Sequence, residues 1–300
     1  MSRLSMSFSF KVSEISLRLF SFSTSKHINI IAGLSLIFIL SKIFMKARQF
    51  KNKHGQPAKF CIVIPSYNHS DTLVALLSAL PEIDTIVVDD GSVPKIILPE
   101  LPGKNVSLIR LEKNSGKAAA LKEGFSAARS RGYTHAITMD ADGQHAPESI
   151  PDFIRAATEN PECIITGVRD FSNPAVPPAR RAMNSFSNFW LAVETGVKIG
   201  DTQCGYRCYP LRALERVNVA RRGFLFEAEL LVKASWAGMG IREVKIPTIY
   251  TQSSLSRSHY RPLSDTFKFA VMNLRLSAAA LLLGKERRRK IALKPVSKEP

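Results

Sequence analysis

Two acidic segments that each follow an apolar run hold the residues best suited to chemistry. The first is Asp89-Asp90, and the second is Asp140-Ala141-Asp142, with Gln144 two residues further on. Residues two apart in an extended chain point the same way, so Asp140, Asp142 and Gln144 are expected to direct oxygen atoms at one point. Oxygen ligands favour Mg²⁺ or Mn²⁺ over zinc, and Mg²⁺ usually also binds substrate phosphates. The segments therefore predict a metal and phosphate site; the alternative is a polar turn after a strand.

A third segment, Asn114-Ser115-Gly116-Lys117, stands just before a helical pattern. Backbone N–H groups at the start of a helix attract anions, and Lys117 adds a positive charge. The segment is not a Walker A loop, because that motif has a glycine five residues before its final glycine, where this chain has Leu111. It predicts either a phosphate contact or a plain turn with a helix cap.

All three segments lie at the ends of predicted strands or helices. Short apolar runs alternate with helical patterns from residue 60 onward, which predicts an α/β fold with a mostly parallel central sheet and helices on both faces. Ligands of such sheets bind at the carboxyl ends of the strands, where the acidic segments stand. The predicted strands are 60–64, 85–88, 106–111, 136–139 and 163–166, and the predicted helices are 70–80, 117–131 and 147–158.

The chain of 300 residues carries a net charge of +17 that is concentrated at its two ends. Residues 1–60 contribute +9 and residues 284–300 contribute +5, which leaves +3 for residues 61–283. A nucleic-acid-binding protein usually carries its basic surface on the folded domain, so this distribution argues against a nucleic-acid partner. Basic tails beside apolar segments favour an anionic membrane surface instead. The four cysteines do not make a disulfide framework in so long a chain and fit a reducing cytosolic compartment.

The N-terminal segment is a candidate membrane helix. Residues 28–45 carry a single charge, Lys42, and approach the length of a spanning helix. Basic residues are denser after this segment than before it, which predicts a membrane-associated protein whose main domain lies on the cytoplasmic side. The alternatives are a peripheral helix, or a true start at Met45.

Two further segments predict contact with a membrane. Residues 267–283 have an apolar helical face and are followed by a basic cluster at 285–290, as in a helix that lies in the membrane interface. Residues 184–193 add Phe186, Phe189 and Trp190. The alternative for both segments is ordinary packing in the core.

Six ordered motifs make the chain resemble the family 2 inverting glycosyltransferases, and among them the dolichyl-phosphate mannosyltransferase and polyprenyl-phosphate sugar transferase type. The resemblance covers about residues 60–260 and implies a GT-A fold, a UDP- or GDP-linked sugar donor and a divalent metal. The motifs are Cys61-Ile-Val-Ile-Pro-Ser-Tyr-Asn68, Ile86-Val-Val-Asp-Asp-Gly-Ser92, Asn114-Ser-Gly-Lys117, Met139-Asp-Ala-Asp-Gly-Gln-His145, Asp201-Thr-Gln-Cys-Gly-Tyr-Arg207 and Phe224-Leu-Phe-Glu-Ala-Glu-Leu230.

The resemblance implies roles for individual donor-binding residues. The positions that match the nucleoside contacts are Pro65, Tyr67, Val88 and Asp90. The positions that match the metal and pyrophosphate contacts are Asp140, Ala141, Asp142 and Gln144, and Arg169 matches a phosphate contact. Lys117 joins the donor-binding candidates through its charge at the start of a helix. His69 stands where the family usually has glutamate, which leaves the nucleotide base open.

The same resemblance also implies residues on the acceptor side of the site. Asp201 and Arg207 fall in the acceptor motif. The late basic phosphate contacts of the family are not plainly kept in this sequence, and Arg257 and His259 are the candidates to serve instead. An acceptor hydroxyl on a lipid or glycan requires a carboxylate that takes its proton, with Asp201 as the first candidate base and Glu229 as the second.

A lipid phosphate acceptor is already anionic and requires no strong base. Arg180 and Arg181 would then help to hold it through charge-assisted hydrogen bonds. The preferred acceptor is a membrane-borne polyprenyl phosphate, and transfer to a hydroxyl stays open.

The sequence predicts that the chain is divided into three segments. Residues 1–58 form an N-terminal basic and apolar segment, residues 59–262 the GT-A domain, and residues 263–300 an amphipathic helix with a basic tail.

Two other functions are alternatives to sugar transfer. A phosphatase of the haloacid dehalogenase type would use Asp140 as a nucleophile but would leave Asp89-Asp90 without a role. A non-catalytic membrane-bound nucleotide-sugar sensor is the other alternative, which donor hydrolysis or sugar transfer would exclude.

Overall fold

The computed structural model describes residues 58–172, 176–219, 223, 225–247 and 262–294, with the backbone alone at 262–266. The described residues fall in one compact unit, Lys51–Pro300. The candidate membrane helix 28–45, the alternative start at Met45, and the predicted contacts of Arg257 and His259 lie outside the described residues. The division of the chain at 58 and 262 stays a prediction.

Seven strands of the described chain form one sheet. They are β1 (Phe60–Ser66), β2 (Thr85–Asp89), β3 (Val106–Arg110), β4 (His135–Thr138), β5 (Ile164–Arg169), β6 (Arg207–Pro210) and β7 (Ile241–Ile246). Their order across the sheet is β3-β2-β1-β4-β6-β5-β7. β6 is antiparallel to β4 and β5, whereas the other neighbouring pairs are parallel. The predicted mostly parallel sheet is confirmed, and β6 and β7 are the strands that the sequence did not identify.

Helices cover both faces of the sheet. They are α1 (Ser70–Ala79), α2 (Lys117–Ser130), α3 (Ile150–Glu159), α4 (Pro178–Thr195), α5 (Leu211–Glu215), α6 (Leu225–Trp236), α7 (Pro262–Leu282) and α8 (Lys285–Ala292). Successive residues of β1 enter two separate apolar clusters: Cys61 and Val63 pack with α2 and α6, and Ile62 and Ile64 pack with α1 and α3. Alternate residues of a strand face opposite sides of a sheet, so a continuous apolar run is what a strand covered on both sides requires.

Helix α2 lies unusually close to the sheet because it contains Gly124. A Cβ atom at Gly124 would lie 2.4 Å from Cγ1 of Val63 and 3.3 Å from Cγ2 of Val88. The close packing sets the position of Lys117, the first residue of α2, at the carboxyl end of the sheet. Val88, predicted as a nucleoside contact, has its side chain in this core contact.

The C-terminal helices pack on the domain. α7 contacts α4 and α6, with the rings of Phe186 and Phe269 6.2 Å apart. The chain after α8 pairs with the loop before α6, where the backbone N–H of Asn218 donates to the carbonyl of Ala292 at 2.8 Å. Among the described residues, no helix has both the length and the apolar character needed to cross a membrane.

Glu194, near the end of α4, is buried between three helices. Its side chain is 1% exposed, and its Oε1 atom accepts a hydrogen bond of 3.4 Å from the hydroxyl of Ser277 on α7. The indole N–H of Trp236 on α6 donates to the Glu194 carbonyl oxygen at 2.8 Å. Burial raises the pKa of Glu194 from 4.5 to about 8, since its carboxylate is removed from water.

This buried carboxyl makes stability depend on pH. Because the folded state disfavours ionised Glu194, stability is expected to fall as the pH rises from about 4.5 to about 8. Glu194→Gln keeps the shape without the charge, so it should remove this part of the pH dependence and raise the Tm at alkaline pH. Thermal unfolding as a function of pH tests this, with Glu123→Gln on the exposed face of α2 as the control. An unaltered pH dependence in Glu194→Gln would show that the carboxyl is not buried in this way.

Candidate active site

The acidic segments meet at one edge of the sheet. β1 lies between β2 and β4, and all three strands are parallel, so their carboxyl ends share that edge. Asp90 follows β2 directly, and Asp140 stands two residues after β4. The antiparallel strand β6 begins at Arg207, which pairs with Thr138 at the end of β4, so the segment before β6 also reaches this edge.

Asp90 fixes the turn that starts α2. Its two carboxylate oxygens accept the backbone N–H groups of Ser115 at 2.7 Å and Gly116 at 2.8 Å. Its neighbour Asp89 is buried, accepts the N–H of Ser92 at 2.8 Å and pairs with Arg110. The predicted role of Asp90 toward a nucleoside stays a prediction, and the structure gives Asp90 a positioning role for Lys117.

Lys117 holds together two carboxylates from distant parts of the chain. Its Nζ atom lies 2.6 Å from Oδ1 of Asp140 and 3.0 Å from Oε2 of Glu227 on α6. Burial alone would lower the pKa of Lys117, but the two carboxylates outweigh it and raise that pKa. Burial likewise opposes ionisation of Asp140, yet Lys117 lowers the pKa of Asp140 to about 2. Asp140 and Lys117 are therefore both charged at neutral pH.

Gly205 covers this cluster closely. A Cβ atom at Gly205 would lie 2.7 Å from Oδ2 of Asp140 and 2.8 Å from Nζ of Lys117. The carbonyl of Gly205 accepts a hydrogen bond of 2.8 Å from the hydroxyl of Thr138, which anchors the segment to β4. The charged pair thus has no space for a methyl group on this side.

The turn after Asp140 differs from the extended segment that the sequence predicts. β4 ends at Thr138, Ala141 and Asp142 form a turn, and Gly143 has a φ of +75°. Asp142 accepts the backbone N–H of Gln144 at 3.0 Å and its side-chain amide at 2.9 Å. The expectation that alternation aims Asp140, Asp142 and Gln144 at one point is therefore wrong in its geometry: Asp140 bonds Lys117, whereas Asp142 and Gln144 bond each other.

The donor set of this turn still fits a hard cation. Asp140 and Asp142 are partly exposed carboxylates on one turn, and carboxylate oxygens suit Mg²⁺ or Mn²⁺. Among the described residues, no group of three or more His, Cys, Asp and Glu side chains is arranged to hold a metal.

His145 supports the turn rather than the chemistry. Its Nδ1 atom accepts the backbone N–H of Asp140 at 3.1 Å, and its ring stacks on Tyr206 with centroids 5.0 Å apart. Burial lowers the pKa of His145, so the neutral imidazole is favoured. Ala141 is buried, and its carbonyl accepts the hydroxyl of Thr72 at 2.6 Å.

Asp201 and Arg169 form a two-pronged ion pair. The Arg169 guanidinium donates from Nε to Oδ2 of Asp201 at 2.6 Å and from Nη2 to Oδ1 at 2.9 Å. Asp201 is 0% exposed and also accepts the backbone N–H of Gln203 at 3.2 Å. This geometry makes Asp201 an anchor for Arg169 and does not favour its predicted role as a base.

The two acidic residues of α6 face different surroundings. Glu229, the second predicted base, is buried and pairs with Lys233 at 3.0 Å, and Lys233 also donates to the Asn218 carbonyl at 2.8 Å. Residues two apart on a helix are separated by roughly 200°. Glu227 is thereby the one that reaches Lys117, and the sequence did not single it out. The motif contains both acids, and only the packing of α6 decides between them.

Arg207 is buried behind Glu227. Its guanidinium donates to the Thr202 carbonyl at 2.7 Å and to the Tyr209 hydroxyl at 3.2 Å, and it lies 3.9 Å from Oε1 of Glu227. This burial does not support the predicted contact between Arg207 and an acceptor phosphate.

The remaining predicted residues lie at the edges of the site. Pro65 and Tyr67 are partly exposed at the end of β1, where Pro65 pairs in register with Val88. Arg180 and Arg181 stand in the first turn of α4. Their roles toward a nucleoside and an acceptor phosphate stay predictions.

Comparison with known proteins identifies the family. Residues 61–218, more than half of the chain, match the family described as Glycosyl transferase family 2. The protein belongs to glycosyltransferase family 2. The resemblance seen in the six motifs is confirmed, and family membership favours sugar transfer over the phosphatase alternative.

The relatives of this glycosyltransferase include lipid-phosphate enzymes. It is 28% identical over 214 residues to the polyprenol monophosphomannose synthase of Mycolicibacterium smegmatis, which covers 66% of this chain and 79% of that protein. It is 27% identical over 215 residues to the undecaprenyl-phosphate mannosyltransferase of Micrococcus luteus, with 65% and 85% covered. It is 29% identical over 222 residues to the UDP-N-acetylglucosamine–dolichyl-phosphate N-acetylglucosaminyltransferase of Methanococcus voltae, with 65% and 88% covered.

Solved structures agree on the fold. Glucosyl-3-phosphoglycerate synthase from Mycobacterium tuberculosis in complex with UDP superposes with a TM-score of 0.53 at 17% identity, over 76% of this chain and 81% of that chain. The same enzyme with Mn²⁺, UDP and its product gives a TM-score of 0.51 over 80% and 82%. The predicted GT-A fold is confirmed.

A side chain at position 205 is expected to disturb the ion pair of Asp140 and Lys117. Gly205→Ala should push apart Asp140 and Lys117, whose flexible ends can move without unfolding the domain. A displacement of about 1 Å at reacting groups costs roughly 10²-fold, so kcat/KM should fall by about that factor with little change in Tm. The control is Gly284→Ala, where no atom lies within 4 Å of the added Cβ. Sugar transfer at the normal rate by Gly205→Ala would contradict the geometry.

Proposed function

We propose that this glycosyltransferase moves a sugar from a UDP- or GDP-linked donor to a polyprenyl phosphate, with inversion at the sugar carbon. The observation that carries the proposal is the charged cluster at the carboxyl edge of the sheet, where Lys117 bonds Asp140 and the charge of Arg169 helps to lower the pKa of Asp140. The similarity to polyprenyl-phosphate and dolichyl-phosphate sugar transferases supports the choice of acceptor.

The donor diphosphate is the group that this site is suited to hold. Asp140 and Asp142 would hold Mg²⁺ or Mn²⁺, which when bound offsets negative charge on the diphosphate. Lys117 and Arg169 supply fixed positive charge at the same edge of the sheet. When the bond between the sugar carbon and the phosphate oxygen breaks, its electron pair stays on the nucleoside diphosphate. Fixed cations stabilise that developing charge most when they need not move during the reaction.

A phosphate acceptor agrees with the state of the two predicted bases. Both oxygens of Asp201 bond Arg169, and Glu229 pairs with Lys233, so neither carboxylate is poised to take a proton. An anionic phosphate oxygen attacks the sugar carbon without losing a proton first. Arg180 and Arg181, in the first turn of α4, are proposed to hold this acceptor phosphate.

The outer face of α7 supports a membrane-borne acceptor. Phe267, Leu274 and Leu281 are 71%, 67% and 75% exposed and stand seven residues apart, which aligns them along one stripe of the helix. α4 adds the exposed rings of Phe186 and Phe189. An exposed apolar stripe of this kind marks an interaction surface.

The next helix supplies charge that matches an anionic membrane. α8 follows α7 directly and contains five basic residues and one acidic residue. Apolar and basic surfaces side by side suit a helix pair that lies in the membrane interface. We propose that the α7 stripe and α8 bind an anionic membrane surface on its cytoplasmic side.

The catalytic proposal is tested by assaying sugar transfer from UDP- and GDP-linked donors to polyprenyl phosphate. Transfer should require Mg²⁺ or Mn²⁺ and stop with EDTA. Asp142→Asn should lower the rate roughly 10²–10³-fold, the effect of losing a main electrostatic stabiliser. Asp152→Asn, on the surface of α3, is the matched control and should leave the rate unchanged. Full transfer in EDTA would overturn the metal assignment.

The membrane proposal is tested by co-sedimentation with phosphatidylserine and phosphatidylcholine vesicles. Binding should prefer phosphatidylserine and weaken with salt, and neutralising Arg287, Arg288 and Arg289 should cost about 1 kcal/mol per residue. Leu274→Glu should also weaken binding. The control is Ile97→Glu, which changes an apolar residue that is 85% exposed in the loop after β2. Equal losses in the Leu274 and Ile97 variants would overturn the proposed face.

A further inference from the structure

Glu227 contacts Lys117, but the proposed sugar transfer gives it no role of its own. Its Oε2 atom lies 3.0 Å from Nζ of Lys117, while Asp140 lies 2.6 Å from the same nitrogen. The two carboxylates thus share one ammonium group. They come from unrelated elements, since Asp140 follows β4 and Glu227 stands in the first turn of α6.

Glu227 is itself held from behind. The buried guanidinium of Arg207 lies 3.9 Å from Oε1 of Glu227 and donates to the Glu227 carbonyl at 3.3 Å. Arg207 is in turn fixed by the Thr202 carbonyl at 2.7 Å. The buried Arg207 guanidinium therefore holds Glu227 in place through both its side chain and its backbone. The arrangement is a chain of alternating charges from Arg207 through Glu227 and Lys117 to Asp140.

Asp140 faces two competing demands in this cluster. If Asp140 turns its carboxylate toward a divalent cation, Lys117 loses its shorter contact. Lys117 would then need a second anion to remain at the site, and Glu227 is the carboxylate within hydrogen-bond distance of it. An ammonium group has three N–H donors, so contacts to two carboxylates leave one for a phosphate oxygen.

We propose that Glu227 is a positioning residue that holds Lys117 beside the donor diphosphate while Asp140 serves the metal. The inference rests on the proposed function, because it requires a metal-bound nucleoside diphosphate at this edge of the sheet. Without the charge of Glu227, Lys117 pairs with Asp140 alone and competes with the metal for that carboxylate. Glu227 thereby sets both the affinity for the metal and the position of Lys117, the cation that stabilises the charge on the leaving nucleoside diphosphate.

The test measures binding of Mn²⁺ together with UDP or GDP by calorimetry on the full-length protein. Glu227→Gln keeps the shape but removes the charge, and it should weaken binding roughly 10-fold or more, as loss of a partner behind a metal ligand does. Glu229→Gln is the matched control, since Glu229 is two residues further on in the same helix and pairs with Lys233 instead. Glu227→Asp, which keeps the charge at shorter reach, should fall between wild type and Glu227→Gln.

A double-mutant cycle separates positioning from a purely structural role. If Glu227 acts through Lys117, adding Glu227→Gln to Lys117→Met should weaken binding no further. Thermal unfolding identifies variants that fail to fold. If Glu227→Gln is one of them, binding by Glu227→Asp is compared with binding by Glu229→Gln in its place. Wild-type binding by folded Glu227→Gln, or an equal loss in Glu229→Gln, would overturn the positioning role. A wild-type protein that binds neither metal–nucleotide complex would overturn the proposed function as well.

Discussion

A single ammonium group placed between two carboxylates is the constraint on which the site depends. Lys117 can meet Asp140 only because α2 packs tightly on the sheet at Gly124, and because Asp90 fixes the turn that begins α2. Gly205 must lack a side chain for the pair to close. Several separated parts of the chain therefore converge on one charge, which explains why motifs far apart in sequence belong to one site.

The antiparallel strand β6 is the topological feature that completes this convergence. A parallel strand in its place would begin at the opposite edge of the sheet. Because β6 begins next to the end of β4, the segment from Asp201 to Arg207 lies against the acidic turn. Its residues then act in different ways: Asp201 anchors Arg169, Gly205 covers the pair, and Arg207 supports Glu227.

Much of the fold was predictable because the central strands are buried on both faces. Their continuous apolar runs, such as Cys61–Ile64, have no other simple explanation in a chain with alternating helical patterns. β6 contains Arg207 and Pro210, and β7 mixes charged residues with apolar ones, so neither run was recognised. Tertiary packing decides those strands.

The site was predictable in its location but not in its contacts. Acidic residues that follow parallel strands of one sheet lie at the same edge, which locates Asp90 and Asp140 on either side of the end of β1. The sequence predicts Glu229 as a candidate base and gives Glu227 no role. The phase of α6 depends on packing, and it is Glu227 that reaches Lys117, while Glu229 pairs with Lys233. The turn at Ala141 also breaks the alternation expected of Asp140, Asp142 and Gln144.

Because both candidate bases are held in ion pairs, the central question is whether the acceptor is a phosphate or a hydroxyl. If Asp201 anchors Arg169 and Glu229 pairs with Lys233, the enzyme has a site for an acceptor that is already anionic. The most direct measurement compares polyprenyl phosphate with the corresponding polyprenol as acceptors, using release of nucleoside diphosphate and detection of the lipid-linked sugar. The account predicts transfer to the phosphate and none to the alcohol. Efficient transfer to the alcohol would contradict it and would require a catalytic base at this site.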